Sequence, residues 1–312
     1  MSAVDVPSAV ASTMTFIAYV DDPAIVTWMH ERTRAIVEKH PARLVLLDGT
    51  LDQGSHQTHA VARTEWVLLG TRGLSPEQLR SIAHAFTRTG VPTVLLWAGH
   101  RILDDPIFPA LNATVDSLIL DSSRIAPGVA QLAELAEYFA QEPRLAVQDL
   151  AYLRLTPWQE MIAQFFDEPE FADELQALEH VIIAAGSQAE AYYLLCWLAS
   201  RLEWSPSGAH QLKNRQGKPI TFAFQPEGGP RRVRSVELRS QTSTFRAQLE
   251  DDDATVCLSV DGAKKRAMRC EPLHDIAIVD LLERAILEPQ TSDVYRATVE
   301  MVRALLAKTG AS

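Results

Sequence analysis

Cysteine is scarce in this chain of 312 residues, which contains only Cys196, Cys257 and Cys270. Three scattered cysteines are too few for a disulfide framework, and no Cys-x-x-Cys pair is present that could bind zinc. Because an odd number also argues against obligatory pairing, we interpret all three as free thiols. One alternative stays open: a hairpin centred on residues 262–265 would place Cys257 opposite Cys270, whereas another register would separate them. Cys196 lies in an apolar helix, which predicts a buried, unreactive thiol.

Long apolar segments are missing as well. The longest, residues 181–185 and 191–199, are too short to cross a bilayer, which takes about 20 residues. The start of the chain, MSAVDVPSAVAS, lacks the positive charge and the apolar stretch of a secretory signal. We therefore expect a cytoplasmic protein with no membrane partner. Because 47% of the residues are apolar, the chain is able to bury the cores of two ordinary domains.

The chain also lacks an excess of positive charge. Its net charge of −11 argues against a nucleic-acid partner, since lysine and arginine supply most of the affinity for phosphates. Residues 205–270 differ from the rest, because they carry 12 Lys and Arg against 7 Asp and Glu. This local net charge of +5 is suited to an acidic protein surface or a phosphorylated metabolite; charges scattered over a solvated sheet are the alternative.

Motifs of common catalytic and nucleotide-binding sites are absent. The chain has no GxGxxG, no GxxxxGK followed by Ser or Thr, no HExxH and no GxSxG. His56 and His59 have an i, i+3 spacing that suits a metal ion, but no third ligand stands at a typical distance, and two solvated histidines are the alternative. The sequence thus predicts neither a cofactor nor a metal nor a catalytic site.

One connection has the composition of an anion site. It follows an apolar strand and precedes a helix, which is where an open α/β sheet gathers ligands. Its residues are Asp121, Ser122, Ser123 and Arg124. The alternative is that the Asp and Ser side chains cap the connection and bind nothing.

The spacing of apolar residues predicts two domains of different architecture. In residues 1–145, short apolar strands alternate with helices, as in an α/β domain with a mostly parallel sheet. Within this domain, a Ser-Pro-x-Gln sequence at Ser75 predicts a capped helix start, and the polar stretch 48–59 predicts an exposed loop. Residues 146–312 begin with a helical segment and continue with short alternating strands joined by tight turns. They predict an α+β domain with an antiparallel sheet.

The segment DLAYLRLTPWQEMIAQFFDEP, residues 149–169, concentrates aromatic residues in the middle of the chain. Thr156, Pro157 and Gln159 predict a helix start that the Thr side chain caps. A helix of about ten residues is marginal alone, so its apolar stripe must pack against other parts of the protein. The stripe consists of Trp158, Met161, Ile162, Phe165 and Phe166.

Part of this segment has a second interpretation. We interpret Met161, Ile162 and Phe165 as core. We interpret Trp158 as a possible anchor of a protein interface. Tyr152 and Arg154 stand just upstream, and Trp, Tyr and Arg are the residue types enriched among such anchors.

The same segment, followed by AYYLLCWLASRLEW, resembles the mid-chain signature of the glucose-6-phosphate dehydrogenase assembly protein family, OpcA. Further similar stretches are STMTFIAYV, HPARLVLLDG, VPTVLLWAGH and VDSLILDSSR, and the resemblance covers residues 10–205 well. The residues that match the signature are Asp149, Leu150, Arg154, Leu155, Thr156, Pro157, Trp158, Phe165, Phe166 and Asp167. Ala151, Tyr152 and Gln159 stand where the family usually has Asn, Trp and Arg.

The resemblance implies a non-catalytic protein that binds glucose-6-phosphate dehydrogenase and favours its assembly or its active state. From this resemblance together with the anchor residue types, we expect the residues in the contact, or supporting it, to be Asp149, Tyr152, Arg154, Thr156, Pro157 and Trp158. A competing hypothesis is an enzyme or sensor for a sugar phosphate that uses the connection from Asp121 to Arg124. A third hypothesis places binding on the basic sheet, through Arg231, Arg232 and Arg234. It treats the Trp158 helix as a packing element.

Overall fold

The computed structural model describes residues 13–40, 42–61, 64–228, 232–262, 266–274, 277–288 and 290–309. The chain forms two compact units, each made of several chain segments. Unit 1 comprises Met1–Asp121, Leu145–Gln148 and Ile278–Gln290, and unit 2 comprises Ser122–Arg144, Asp149–Ala277 and Thr291–Ser312. The division after residue 145 stays a prediction.

Strands and helices alternate in the first part of the described chain, and strands dominate later. The strands are β1 (Met14–Val20), β2 (Ala42–Asp52), β3 (His56–Val61), β4 (Thr64–Arg72), β5 (Thr93–Ala98), β6 (Ser117–Leu120), β7 (Ala146–Asp149), β8 (His180–Ala185), β9 (Ser205–Gly208), β10 (Gln211–Lys213), β11 (Pro219–Pro226), β12 (Val233–Arg239), β13 (Ser243–Leu249), β14 (Thr255–Gly262) and β15 (Arg266–Pro272). The helices are α1 (Val26–Lys39), α2 (Pro76–Phe86), α3 (Ile107–Asn112), α4 (Ser122–Ile125), α5 (Val129–Gln141), α6 (Leu150–Leu153), α7 (Thr156–Gln164), a 3-10 helix (Ala172–Ala177), α8 (Gln188–Arg201), α9 (Ile278–Leu287) and α10 (Asp293–Thr309).

The sheet of the first unit has the order β3-β4-β2-β1-β5-β6-β7. Strands β4, β2, β1, β5 and β6 run parallel, and β3 joins the edge antiparallel. The predicted α/β architecture with a mostly parallel sheet is therefore confirmed. Without β3, the strands follow one another along the sheet in the doubly wound order 3-2-1-4-5-6. In such sheets the order in which strands are added reverses beside the first strand, between β1 and β5, and ligands bind there, at the carboxyl ends of the strands.

The strands of this sheet are apolar because both faces of a parallel sheet are covered. All six residues of β5 are buried, and β1 is buried beyond its first residue. The predicted helix start at Ser75 is also confirmed. The Ser75 hydroxyl accepts a hydrogen bond from the amide of Gln78, and the Gln78 side chain accepts one from the amide of Ser75 at 2.8 Å.

The prediction of an exposed loop over residues 48–59 is confirmed for the exposure of residues 51–58 and wrong for their conformation. β2 continues to Asp52, and β3 pairs with β4 at the edge of the sheet, where polar side chains face solvent without cost. Asp48 is only 1% exposed and accepts hydrogen bonds from the amide and hydroxyl of Thr50 at 2.8 and 2.6 Å. Gly70 makes the irregular β2–β4 pairing possible, since a Cβ there would lie 2.2 Å from the carbonyl oxygen of Asp52.

The sheet of the second unit has the order β15-β14-β13-β12-β8-β11-β10-β9. Neighbouring strands are antiparallel except for β8 and β11, which are parallel. The predicted α+β architecture with an antiparallel sheet is confirmed, and β8 is an additional central strand. Buried and exposed residues alternate along β13, so one face of the sheet is core and the other is accessible.

The core face of this sheet is centred on Phe245, which is fully buried. The rings of Phe165, Phe166 and Phe171 surround it at centroid distances of 5.6, 4.9 and 5.4 Å. The interpretation of Met161, Ile162 and Phe165 as core is confirmed, since each is at most 6% exposed. Packing of this stripe holds the short helix α7 in place.

The interpretation of Cys257 and Cys270 as free thiols is wrong. They lie directly opposite each other in the β14–β15 ladder and form a disulfide. Among the alternatives that the sequence left open, the register that centres the hairpin on residues 262–265 is the one adopted. Cys196 is free and fully buried, as expected, and burial raises the pKa of its thiol far above the usual value, which makes it a poor nucleophile.

The predicted cap of α7 is also wrong. The N-cap position is Leu155, and the Thr156 hydroxyl donates a hydrogen bond to the carbonyl oxygen of Leu153 at 3.0 Å. α6 leads directly into α7, and the Leu155 amide donates to the carbonyl oxygen of Tyr152 in the preceding turn. Pro157 lies within the first turn of α7 and has no amide hydrogen, so one of the donors that a cap would satisfy is missing.

Candidate functional site

Asp149, at the end of β7, is the centre of a buried polar cluster in unit 2. It is 1% exposed, and its Oδ1 accepts hydrogen bonds from the backbone amides of Ala151 at 2.9 Å and Ser122 at 3.1 Å. Its Oδ2 accepts from the hydroxyls of Tyr193 at 2.9 Å and Tyr295 at 3.5 Å. Four donors from four chain segments therefore converge on one carboxylate, and they offset the cost of burying its charge.

Three tyrosine rings pack against one another beside this carboxylate. The ring of Tyr152 lies 4.8 Å from that of Tyr295 and 6.0 Å from that of Tyr193, centroid to centroid. Burial, followed by the charge of Asp149, raises the pKa of Tyr193 well above its usual value of 10.0. Burial, followed by Tyr193 and Asp149, raises the pKa of Tyr295 in the same direction. Both hydroxyls therefore stay protonated and act as donors.

A buried ion pair stands beside the cluster. Arg154 Nε donates a hydrogen bond to Glu190 Oε1 at 3.0 Å, and its guanidinium also donates to the hydroxyl of Ser123 at 2.9 Å. Glu190 is 1% exposed and belongs to the first turn of α8, where the Ser187 hydroxyl accepts a hydrogen bond from its amide. The Arg154 side chain, 19% exposed, is the partly accessible member of the pair.

The structure brings together two groups of residues that the sequence analysis treated as separate sites. Ser122 and Ser123, predicted for an anion site, contact Asp149 and Arg154, predicted for partner binding. Ser122 is fully buried and Ser123 is 4% exposed. The Ser122 amide already donates to the Asp149 carboxylate, so an anion of the protein itself occupies the position predicted for a ligand. An anion site at residues 121–124 stays a prediction with no support from this geometry.

The predicted contact residues differ in accessibility. Tyr152 and Trp158 are 8% and 3% exposed, so they are positioned to support a surface from within. Arg154, Thr156 and Pro157 are half-buried and therefore present atoms to solvent. Their role in partner binding stays a prediction. The sequence analysis missed Tyr193, Tyr295 and Glu190, whose contacts to the segment span 36 to 146 residues along the chain.

The hydrogen bonds of the cluster hold several chain segments together. Its carboxylate is saturated by donors, and neither Tyr hydroxyl is paired with a base other than Asp149. Within the part of the chain that the structure describes, no group of three or more His, Cys, Asp and Glu residues is placed to hold a metal ion. Of His56 and His59, which the sequence offered as a metal-binding pair, the side chain of His59 lies outside the described residues. None of the described helices has the length and apolarity that a bilayer crossing requires.

The switch point of the unit 1 sheet, beside β1 and β5, is occupied by the protein's own side chains. Asp21 follows β1, and its Oδ1 accepts a hydrogen bond from the amide of His100, beyond β5, at 2.7 Å. Tyr19 stacks on Trp97 at 4.6 Å between centroids, and Trp97 Nε1 donates to the carbonyl oxygen of Arg101 at 2.8 Å. A dinucleotide would need glycines and free amides at this turn, whereas a carboxylate stands there.

Family models and curated proteins point to one family. The model described as glucose-6-phosphate dehydrogenase subunit N-terminal domain matches residues 33–137, and the corresponding C-terminal domain model matches residues 145–299. Two curated relatives named OxPP cycle protein OpcA are similar to the chain. The relative from Synechocystis sp. is 30% identical over 211 residues, which are 61% of this chain and 40% of the relative. The relative from Nostoc punctiforme is 31% identical over 144 residues, which are 46% of this chain and 30% of the relative. The chain therefore spans 30% to 40% of the length of these relatives.

Solved structures show the fold alone. A super-repressor mutant of Gal80p from Saccharomyces cerevisiae has a TM-score of 0.54 at 10% identity, with 96% of each chain covered. An oxidoreductase from Sinorhizobium meliloti has a TM-score of 0.52 at 12% identity, covering 96% of this chain and 98% of the other. Because proteins named as a repressor and as an oxidoreductase both have this fold, the fold does not decide between catalysis and regulation.

Proposed function

Because the chain belongs to the OpcA family of glucose-6-phosphate dehydrogenase assembly proteins, we propose that it binds glucose-6-phosphate dehydrogenase, in the oxidative pentose phosphate pathway, and favours its active oligomeric state without catalysing a reaction itself. The observation that carries this proposal is the match of two family models, both described as domains of a glucose-6-phosphate dehydrogenase subunit, to residues 33–137 and 145–299. The partner is therefore the enzyme, and the localisation is that of a cytoplasmic metabolic complex.

A non-catalytic role agrees with the two places where chemistry is expected. At the switch point of unit 1, Asp21 bonded to His100 stands where a dinucleotide phosphate would need an uncharged backbone surface. In unit 2, the Asp149 carboxylate is buried and its oxygens are used by Tyr193, Tyr295 and two amides. In both arrangements a carboxylate accepts hydrogen bonds from the protein itself.

The aromatic segment gives this role a structural basis. The Asp149 cluster and the Arg154–Glu190 pair fix the connection from β7 through α6 to α7. Thr156 and Pro157 lie on the accessible side of this connection and Trp158 lies beneath it. A surface whose backbone is held in this way loses little conformational entropy when it binds, which favours affinity.

Activation by a binding protein requires different affinities for two states of the enzyme. A protein that binds the active oligomer about tenfold more tightly shifts the equilibrium by about 1.4 kcal/mol. A contact of standard size, about 800 Å² on each partner, is sufficient for such a difference.

The proposal is tested with purified dehydrogenase from the same organism. Initial rates are measured against glucose 6-phosphate while the chain is added in increasing amounts, with an unrelated protein at equal mass as control. We expect the apparent KM to fall and to saturate with chain concentration, and we expect no reduction of NAD or NADP by the chain alone. Unchanged kinetics together with no co-elution, or turnover by the chain alone, would refute the proposal.

A further inference from the structure

Strand β15 is an open edge of the unit 2 sheet. Among the described residues it comes last in the strand order and pairs with β14 on one side. At the other end of the sheet, helix α10 lies against the last strand, β9. Met268, in the middle of β15, is 71% exposed, the highest value among the three large apolar side chains that are exposed in the described chain. An open edge of this kind offers backbone amides and carbonyl oxygens to another strand.

The pairing with β14 decides which backbone groups of β15 point outward. Just beyond the two strands, the amide of Leu273 donates to the carbonyl oxygen of Ala254, and the same register places odd-numbered residues of β15 in hydrogen-bonded pairs with β14. The Cα atoms of Cys257 and Cys270 are 4.0 Å apart, which is the close spacing of a pair without hydrogen bonds. Even-numbered residues therefore direct their backbone groups to the open edge. They are Arg266, Met268, Cys270 and Pro272.

Self-pairing of this edge is restricted by symmetry. Two copies of one strand pair antiparallel about a two-fold axis perpendicular to the sheet, so opposed residues lie on the same face and the axis passes through a residue. An axis at Arg269, the central residue, would oppose two arginines, which is unfavourable. An axis at Met268 would oppose Arg269 to Ala267 and would bring no opposite charges together.

An axis at Cys270 makes the edge complementary to itself. Arg269 then lies opposite the partner's Glu271, and the symmetry repeats this pair on the other side of the axis. On the other face, Met268 lies opposite the partner's Pro272, so the most exposed apolar side chain meets an apolar ring.

The side chains of the charged pair are accessible. Arg269 is exposed and Glu271 is half-buried, and both lie on the same face of β15. The Arg269 guanidinium donates a hydrogen bond to the side chain of Gln164. A guanidinium has five N–H donors, so this bond leaves others for a carboxylate. The charges of β15 therefore favour one partner strand and one register, because like charges meet at the central axis and opposite charges meet at Cys270.

We propose that two copies of the chain associate through β15, with the two-fold axis at Cys270, and form one continuous sheet across the dimer. The backbones of the two Cys270 residues bond to each other, and each Met268 amide donates to the carbonyl oxygen of the partner's Pro272. Strand pairing of this length buries less than the roughly 1,600 Å² of a standard interface, so the dimer is reversible and depends on concentration. This inference goes beyond the proposed function and does not depend on the dehydrogenase.

The arginines of the basic-sheet hypothesis are not part of this edge. Arg231 lies outside the described residues. Arg232 donates a hydrogen bond to the carbonyl oxygen of Asp253 at 3.3 Å, and Arg234 is paired with the Asp253 carboxylate. Binding through these arginines stays a prediction.

Charge reversal tests the proposed register, with sedimentation velocity of the chain at micromolar to millimolar concentration as the measurement. Arg269→Glu opposes glutamates on both sides of the axis, and Glu271→Arg opposes arginines. We expect each to weaken self-association about tenfold or more. An equal mixture of the two variants restores opposite charges at every position and is expected to associate as the unchanged chain does. Lys213→Glu is the matched control, because it makes the same change of charge at an exposed residue of β10, near the other end of the sheet.

Hydrogen exchange measures the backbone pairing directly. The Met268 and Cys270 amides are expected to become more protected as the concentration rises. This measurement uses the unchanged chain, so it decides the question if a charge variant is poorly folded. A chain that is monomeric at every concentration, or a dimer in which both amides exchange at the same rate as in the monomer, overturns the inference. A dimer that neither charge variant weakens overturns it as well, since the contact then lies on another surface.

Discussion

Replacement of Asp149 tests whether the buried cluster holds the aromatic segment. In Asp149→Ala, the amides of Ala151 and Ser122 and the hydroxyls of Tyr193 and Tyr295 lose their acceptor. A buried donor left without a partner costs about 1–3 kcal/mol, and hydroxyls can turn to one another, so we expect a loss of about 3–5 kcal/mol. In Asp149→Asn, the amide oxygen still accepts from both backbone amides and its NH2 donates to a hydroxyl. We expect a smaller loss, about 1–2 kcal/mol.

The assay combines urea unfolding with hydrogen exchange. Exchange of the Ser122 and Ala151 amides reports the two backbone hydrogen bonds directly, and the midpoint of unfolding at constant slope reports the free energy of unfolding. Asp167→Asn is the matched control, because Asp167 belongs to the same segment and is exposed. We expect the fastest exchange and the lowest free energy of unfolding in Asp149→Ala. Asp149→Asn should be intermediate, and Asp167→Asn should be the slowest to exchange and the most stable of the three. Equal stability of Asp149→Ala and the control, with both amides still protected, would refute it.

Four further predictions concern the same unit. Arg154→Ala removes the guanidinium that pairs with the buried Glu190 carboxylate and is expected to lower the free energy of unfolding in urea by about 3–5 kcal/mol, with Arg154→Lys in between. Trp158→Ala is expected to cost about 3–5 kcal/mol as well, while the folded fraction still binds dehydrogenase in co-elution, because this side chain is 3% exposed. Burial alone would raise the pKa of Glu237, but its pairs with two arginines lower that pKa below the usual value of 4.5. The contribution of these pairs to the free energy of unfolding should therefore be complete above pH 4.5 and be lost as the pH falls through the lowered pKa, and Glu237→Gln should weaken the pH dependence of urea unfolding in this range. Calorimetry with glucose 6-phosphate is expected to give no saturable heat, because the Ser122 amide already donates a hydrogen bond to the Asp149 carboxylate. Saturable heat would favour the hypothesis of a sugar-phosphate sensor.

The sequence predicted those elements whose signals are local. The capping box at Ser75 and the apolar runs of β1 and β5 are examples, because the residues that decide them are neighbours in the chain. The extension of β2 to Asp52 and the edge strand β3, which pairs with β4, were missed because their polar residues are typical of loops. An edge position, which depends on strands elsewhere in the sheet, allows such residues to remain in a strand.

The candidate site was predicted in part. The resemblance identified Asp149 and Arg154, but the partners of Asp149 stand at Ser122, Tyr193 and Tyr295, and no local pattern links these positions. The disulfide is another contact of this kind. Its formation depends on the register of one hairpin, and a shift by one residue would have moved Cys270 to the other face of the sheet.

In the doubly wound sheet of unit 1, the protein's own groups lie at the position where this topology binds ligands. The hydrogen bond from His100 to Asp21 joins the loops after β5 and β1, where an oxidoreductase of this topology would hold its cofactor.

Sedimentation velocity of a fluorescently labelled chain, titrated with the dehydrogenase, tests the central claim most directly. The account predicts that the label moves saturably from the position of the free chain to that of a complex, and that the enzyme distribution shifts toward its larger oligomer. A label that sediments as the free chain at every enzyme concentration would contradict it.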